Sequence, residues 1–529
     1  MKTFVLRMWS THKKQWVIFL FLLICTSVAT FIRLLPGDTH IIFPYDQARD
    51  LLYVRQLVET RHLPLVGPPS DIPGVNHGVI FYYVLAVLYW VGGWNIHVTV
   101  WVFAFVNAAA LIPLYYLTRR LFSPKASVVA VLLWMGSFEA ISYARWISNP
   151  VLALPLFPVF FLLLEPFFHK QKGNALALGI VLGLIIQLEL VLGYLLCAVI
   201  YIFLRSSQKA RQYVIFFGGI LLGALPLVVS ELKFHFQSLR GMVAYAGGQS
   251  GNIQATASSA FLQIIDAIGL LARNNIVGFT APFACAMSIG FFLLLLSTWK
   301  KIQSLHSSLH FLSILMLSSL PLFLIGKKVE IFFLIGIGTL LISLFAGTLT
   351  FFLKRRPVLL VLSIWIILAL QLKLFSDQTK NHQAYVQVQQ GVLLSDRLEV
   401  LDTIYAKIPA NTPFSVSILG TPYGVRTAWS YYFWEYARLH GTLLPAWYGF
   451  AANGYIGDEI LSHTDTPFPI HVTIYEPEFD VSPYIQDQFT QYQNEHTLLD
   501  SQMEVNHHTL QFRHPIVSPQ PLKVSSHIP

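Results

Sequence analysis

Two carboxylates four residues apart, Asp46 and Asp50, stand in the stretch "FPYDQARDLLYVRQL" with Arg49 beside the second. On a helix, positions i and i+4 are neighbours, so both acids project from one face. A carboxylate held there can take a proton from a hydroxyl. The same residues also read as a solvated start to a juxtamembrane helix, with Arg49 and Arg55 on lipid headgroups. Downstream, "PLVGPPSDIPGVNHGVIFYY" is shaped by Gly and Pro into turns. There His77 sits between Asn76 and Gly78, where backbone can approach a ligand closely. Arg145, in "SYARWISNPVLALP", stands where an apolar run ends. A cation in that place binds phosphate, either of a bilayer lipid or of a lipid-linked substrate. Glu189 in "QLELVLG" is an acid near the end of an apolar run, a functional candidate by position. Glu231 opens the loop "SELKFHFQSLRG", and Lys327 and Lys328 lie in "IGKKVEIFF".

The elements that must hold these groups are membrane helices. Of the 529 residues, 55% are hydrophobic and 12% charged, with a mean hydropathy of +0.59. A soluble domain carries about 25% charged residues. The 12 Trp and 23 Tyr suit side chains at membrane interfaces. Charge is divided along the chain: residues 1–375 hold 28 Lys and Arg against 11 Asp and Glu, whereas residues 376–529 hold 7 against 15. A basic membrane part, 1–375, is therefore followed by an acidic, water-soluble part, 376–529. The basic excess is explained by loops that orient helices, and nucleic-acid binding is not expected. Cys25, Cys197 and Cys285 all lie in apolar stretches and imply no disulfide framework. The N-terminal "MKTFVLRMWSTHKKQ" leads into an apolar core long enough to span, which reads as an uncleaved anchor.

A span needs roughly 20 apolar residues. About eleven are expected, near 16–35, 98–118, 126–142, 151–168, 174–190, 191–204, 212–230, 282–299, 309–326, 330–352 and 358–374. Basic clusters at Lys13-Lys14, Arg119-Arg120, Lys170 with Lys172, Arg205 with Lys209 and Arg211, Lys300-Lys301 and Lys354-Arg355-Arg356 fall in every second loop. Cytoplasmic loops carry such clusters. This alternation places the N-terminus in the cytoplasm and the C-terminal domain outside. It also makes residues 36–95 one large external loop, in which the apolar stretch 79–92 lies in or dips into the membrane face. Lys327 and Lys328 then fall outside, against the charge trend, for which phosphate binding would be a reason.

In the acidic domain, Leu394, Leu398, Leu401, Ile404 and Ile408 recur at helical spacing. Residues 414–419, 471–478 and 507–514 read as strands, and "VRTAWSYYFWEYARLHG" as a helix ending at Gly441. The expected fold is thus an all-α polytopic membrane domain with a small C-terminal α/β soluble domain. His507 and His508 are expected to face solvent. No Walker motif, dinucleotide fingerprint, zincin helix or His/Cys cluster with metal-ligand spacing occurs.

In their order, the anchor span, "YDQARD", "GPPSDIPGVNHGVIFYY", "LTRRLF", "ARWISNP" and "PLVVSELKF", followed by an external domain, resemble the GT-C superfamily of membrane glycosyltransferases. The likeness covers most of residues 16–360. It is nearest to the family of protein O-mannosyltransferases and aminoarabinose lipid A transferases, and within it to uncharacterised bacterial members. The resemblance implies an inverting transferase that moves a sugar from a polyprenyl-phosphate-linked donor to a hydroxyl of a protein, lipid or glycan acceptor. The site would lie on the extracytoplasmic side of the plasma (inner) membrane. Asp46 matches the family's general base, and Gln47 stands where relatives have a Glu. His77 stands near the place where relatives carry a Lys or His by the donor phosphate, and Arg145 matches a basic position of their second external loop; with Asp50, Arg49, Asn149, Glu231, Lys327 and Lys328 they are the expected substrate-binding residues. No cofactor is implied, and a divalent metal is left open. A lipid-carrier transporter or flippase is the rival reading. It is disfavoured because the sequence shows neither internal repeats nor interrupted midplane helices.

Overall fold

The computed structural model describes residues 2–35, 37–70, 72–246, 257–324, 329–381, 391–477 and 481–516. The chain forms two compact units. One comprises residues 1–37 and 54–381, the other 38–53 and 382–529. The boundary near 376 expected from charge therefore lies at 381/382, and residues 38–53 of the first loop fold with the C-terminal unit.

The first unit is helical throughout, and the protein is a multi-pass membrane protein. Among the described residues six helices are long and apolar enough to cross a bilayer. Four of them, Gln15–Leu34, Ile96–Leu121, Asn149–Phe168 and Pro357–Lys380, lie on expected spans, and a fifth, Trp299–Phe323, overlaps the expected 309–326 but begins ten residues earlier. The sixth, Ala260–Val277, falls where the sequence reading leaves a loop. Its Asp266, Arg273, Asn274 and Asn275 dilute the apolar signal, and its last five residues form a π turn. The expected span 212–230 is a pair, Ala210–Gly223 and Leu225–Lys233, bent by 76°. The others are shorter than 18 residues, and two of them end at polar residues. Ser137 ends Pro124–Gly136 and caps the next helix through the amide of Ala140, and Glu189 ends Ala175–Leu188. Helix length alone does not give a count of eleven. Within 79–92, Ile80–Val91 is a helix of 12 residues. At 1.5 Å per residue it is well short of a ~30 Å hydrocarbon core.

Two of these helices touch backbone to backbone. Gly179 and Gly183 of Ala175–Leu188 face Gly219 and Gly223 of Ala210–Gly223. A Cβ at any of the four would run into main-chain atoms of the opposite helix, chiefly the carbonyls of Phe216, Ile220, Leu176 and Ile180. Both helices thus carry glycines four apart, the small-residue spacing that permits close packing in membranes. The contact continues to the helix end, where the Gln187 side-chain amide donates to the Gly223 carbonyl at 2.5 Å.

The second unit is built on a six-stranded mixed sheet. Its strands are β1 (Ser415–Leu419), β2 (Ala446–Tyr448), β3 (His463–Thr464), β4 (His471–Tyr475), β5 (Thr497–Val505) and β6 (His508–Pro515), in the spatial order β3-β2-β1-β4-β6-β5. The first four are parallel, with Ser415 opposite both Ala446 and His471. β6 runs antiparallel to β4 and β5 antiparallel to β6. β1 is buried along its whole length, as strands covered on both faces are. Helices Leu394–Lys407, Thr427–His440 and Pro483–His496 complete the α/β unit. The helix at 427 ends where expected, with Gly441 in the left-handed conformation at φ +68°. β2, β3 and β5 are not anticipated from sequence. The first two have three and two residues, and β5 is polar and mostly exposed. His508 is a correction: it is fully buried, and its Nε2 meets the Arg397 guanidinium at 2.6 Å. Of the expected solvent-facing pair, the described turn gives His507 a φ of +67° and sends His508 into the core.

Candidate functional site

The site residues divide between the two units. In the C-terminal unit, helix Tyr45–Thr60 begins just before Asp46, so that carboxylate stands in the first turn. A negative charge is favoured there by the exposed amides of the helix N-terminus. Arg49 bridges the two acids. Its Nη1 donates to Asp46 Oδ1 at 2.7 Å, and its Nε and Nη2 donate to Asp50 Oδ1 at 2.9 and 2.8 Å. The two carboxylates are not equivalent: the side chain of Asp46 is 51% exposed and that of Asp50 only 4%. Asp50 is therefore a buried anchor that fixes the guanidinium, and Arg49 in turn fixes Asp46. About half of the Asp46 side chain stays open to solvent. Gln47, on the same turn, is buried. Burial also pushes the Tyr45 phenol above its ordinary pKa, against the effect of its hydrogen bond with Thr427.

In the membrane unit the Gly- and Pro-rich loop folds back on itself. An isolated antiparallel bridge joins Pro69 to Asn76, and the His77 amide donates to the Pro68 carbonyl at 2.8 Å. Gly67 lies so close to Gly78 that a Cβ on it would overlap the His77 and Gly78 carbonyls. The next amide, of Gly78, donates to the Gln187 carbonyl at 2.6 Å. This places the buried His77 imidazole 3.7 Å from the buried Glu189 carboxylate. Asn149 joins the same segment by donating to the Leu188 carbonyl at 2.5 Å. The structure thus brings His77, Asn149 and Glu189 together around residues 187–189.

Arg145 is placed elsewhere. It is 2% exposed, donating through Nε to the Arg33 carbonyl at 2.7 Å and through Nη2 to the Gly37 carbonyl at 3.4 Å. Its guanidinium lies 5.9 Å from the Phe375 ring centre. It straps the exit of the first span. Arg33, which sequence reasoning passed over as the end of that span, is itself fully buried, bonding Asn107 at 2.7 Å and the Trp134 carbonyl at 3.3 Å. An arginine inside an apolar run was the signal that could have found it. Glu231 accepts the amides of Ser238 and Leu239 at 3.3 and 3.1 Å, capping helix Gln237–Ala246. Lys327 and Lys328 lie outside the described residues. Among the described residues no three His, Cys, Asp or Glu side chains converge as a metal-holding group.

A helical membrane unit followed by an α/β unit is a fold that solved membrane proteins share. Among the structures it resembles are two crystal structures of ArnT from Cupriavidus metallidurans. The one bound to undecaprenyl phosphate has a TM-score of 0.57 at 10% identity, over 94% of this chain and 98% of that one. The apo form has a TM-score of 0.56 at 10% identity, over 95% and 98%. The archaeal oligosaccharyltransferase AglB from Archaeoglobus fulgidus is more distant, with a TM-score of 0.45 at 13% identity over 87% and 69%. No family model and no curated protein sequence matches the chain.

Proposed function

We propose that this protein is an inverting glycosyltransferase that moves a sugar from a polyprenyl-phosphate-linked donor to an acceptor hydroxyl at the extracytoplasmic face of the plasma membrane, with Asp46 as general base. The observation that carries the reading is the asymmetric triad: one exposed carboxylate, held by a guanidinium that a buried carboxylate anchors. The likeness in fold to ArnT, crystallised with undecaprenyl phosphate, supports the donor class. Asp46 takes the proton as the acceptor oxygen attacks the anomeric carbon. The carbon–phosphate-oxygen bond breaks, and the polyprenyl phosphate leaves with the electron pair. Because that leaving group is already good, the enzyme needs chiefly to activate the hydroxyl, align it and balance the charge on the phosphate.

For the donor phosphate the reading assigns His77, the titratable base of the membrane-unit group. Arg145, Asn149 and Glu231 are each bonded to main chain, which supports a role in holding loops around substrate. Lys327 and Lys328 keep the phosphate role given by their place in the sequence. The test is product formation by purified protein in detergent from a panel of undecaprenyl-phosphate-linked mannose, glucose and arabinose. Consumption of none of these, with lipid translocation in vesicles instead, overturns the reading in favour of a flippase. The same assay with and without EDTA decides whether a divalent metal takes part.

A further inference from the structure

We propose that the C-terminal unit is the holder of the catalytic base, with Phe43 and the tyrosine pair that grips it, Tyr431 and Tyr432, as positioning residues for Asp46. The inference rests on the reading of Asp46 as general base. Phe43 stands three residues before Asp46, just ahead of the helix that begins at Tyr45. It is fully buried, with its ring centre 5.1 Å from that of Tyr431 and 5.9 Å from that of Tyr432. Both of its main-chain polar groups are committed. Its amide donates to the Val392 carbonyl at 2.8 Å, and its carbonyl accepts the Tyr432 hydroxyl at 2.5 Å. Ile42 pairs with Leu393 as an antiparallel bridge, and the Leu394 amide donates to the Ile41 carbonyl at 2.9 Å.

The hold extends into the helix itself. The Tyr45 phenol is hydrogen-bonded with Thr427, at the start of helix Thr427–His440. Two turns on, Leu52 packs so closely on Gly457 that a Cβ there would overlap it. Asp46 is thus a half-exposed side chain on a backbone pinned before and after it. That is the arrangement a general base needs, because it must meet a hydroxyl at hydrogen-bond distance and a misplacement of about 1 Å can cost ~10²-fold in rate.

The sheet does not point instead to a separate ligand site. Its strand order reverses between β1 and β4, and in open α/β sheets the crevice outside the carboxyl ends at such a point receives the ligand. Here Glu476, the residue after β4, fills that place. It accepts from the Thr421 amide at 3.2 Å, from Arg397 at 2.9 Å and from the Trp429 indole at 3.0 Å. The chain's own carboxylate is bonded across that end of the sheet, and what the unit visibly holds is the segment that carries Asp46.

The test uses the full chain in detergent and the donor panel above. Tyr432→Phe, which removes one oxygen atom, and Phe43→Leu are expected to lower kcat about tenfold or more, with donor KM unchanged. The decisive measurement repeats each in an Asp46→Asn background by single-turnover assay. A residue that acts through Asp46 loses its effect there, since contacting residues are non-additive. The same fold-loss in both backgrounds, or wild-type kcat in Tyr432→Phe, overturns the proposal even if Asp46→Asn is inactive. Near-normal turnover in Asp46→Asn alone overturns the base reading instead. If Phe43→Leu fails to fold, Tyr432→Phe decides.

Discussion

The asymmetry between Asp46 and Asp50 sets how each responds to losing its charge. Asp46→Asn keeps the shape and removes the base, so turnover is expected to fall about 10²–10⁴-fold while the melting temperature holds, because the lost ion pair is half exposed. Asp50→Asn removes the buried anchor of Arg49. A lower melting temperature together with a smaller loss of turnover is expected, and a larger turnover loss at Asp50 than at Asp46 would reverse the two roles. At Arg145 the expectation follows from its backbone partners. Arg145→Ala frees the Arg33 and Gly37 carbonyls and lowers the melting temperature, and Lys restores only part because it lacks the fork. A second residue-scale effect is acid sensitivity. Burial lowers the pKa of His471 from 6.5 to about 4 and that of His508 well below its usual value. Above pH 6.5 neither the folded nor the unfolded imidazole is protonated, so stability does not change. Between 6.5 and 4 only the unfolded state takes up the proton, and stability falls as pH falls, by at most about 3 kcal/mol for His471. Melts from pH 7.5 to 5 should show the decline, and His471→Asn should flatten it. Of these residues the sequence made Asp46, Asp50 and Arg49 legible, because i, i+3 and i+4 spacing is local. It misjudged His508, whose burial depends on Arg397, 111 positions away.

At the scale of elements, the glycine contact between Ala175–Leu188 and Ala210–Gly223 positions the segment that carries Gln187 and Glu189. Gly183→Leu or Gly223→Val would force the helices apart at a main-chain approach. A destabilisation of about 1–3 kcal/mol is expected from such overpacking. It should be read as a lower melting temperature, with Gly218→Ala, which meets open space, as the unaffected control. Gln15–Leu34, Ile96–Leu121 and Asn149–Phe168 were legible in the sequence to within a few residues. Ala260–Val277 was not, because the buried Asn275 and its partners supply polarity that the bundle satisfies internally. Asn275 donates to Glu139 at 2.8 Å and accepts from Ser137 at 2.9 Å. A hydropathy pattern sees the polar side chains and not the partners that accompany them inside. Strands β2 and β3 were beyond reach for a different reason. Segments of three and two residues carry too little alternation to register, and only the neighbouring strand defines them.

For the whole molecule, the joining of residues 38–53 to 391–516 in one unit constrains the path through the bilayer. Both segments must lie on one side, so the chain between them crosses an even number of times. The ten crossings expected there satisfy this. Adding Ala260–Val277 alone breaks it, so a further crossing, such as Ile80–Val91, or a re-entrant bent pair must accompany it. Single cysteines at Tyr455 and at Lys125, in a background without Cys25, Cys197 and Cys285, test this. An impermeant thiol reagent applied to intact cells is expected to label the first and not the second. The capture of 38–53 by the later unit was not legible in the sequence, since no local pattern announces a contact 389 residues apart. That distance has a meaning in time. The chain emerges from the ribosome with Phe43 hundreds of residues ahead of Tyr432, so the helix start bearing Asp46 waits for its seat until residues 391–432 are made. A nascent or prematurely ended chain carries every membrane helix and the carboxylate as well, yet has nothing to set it against. If Asp46 is the base proposed, a chain cut before Tyr432 is expected to insert in the membrane and remain inactive.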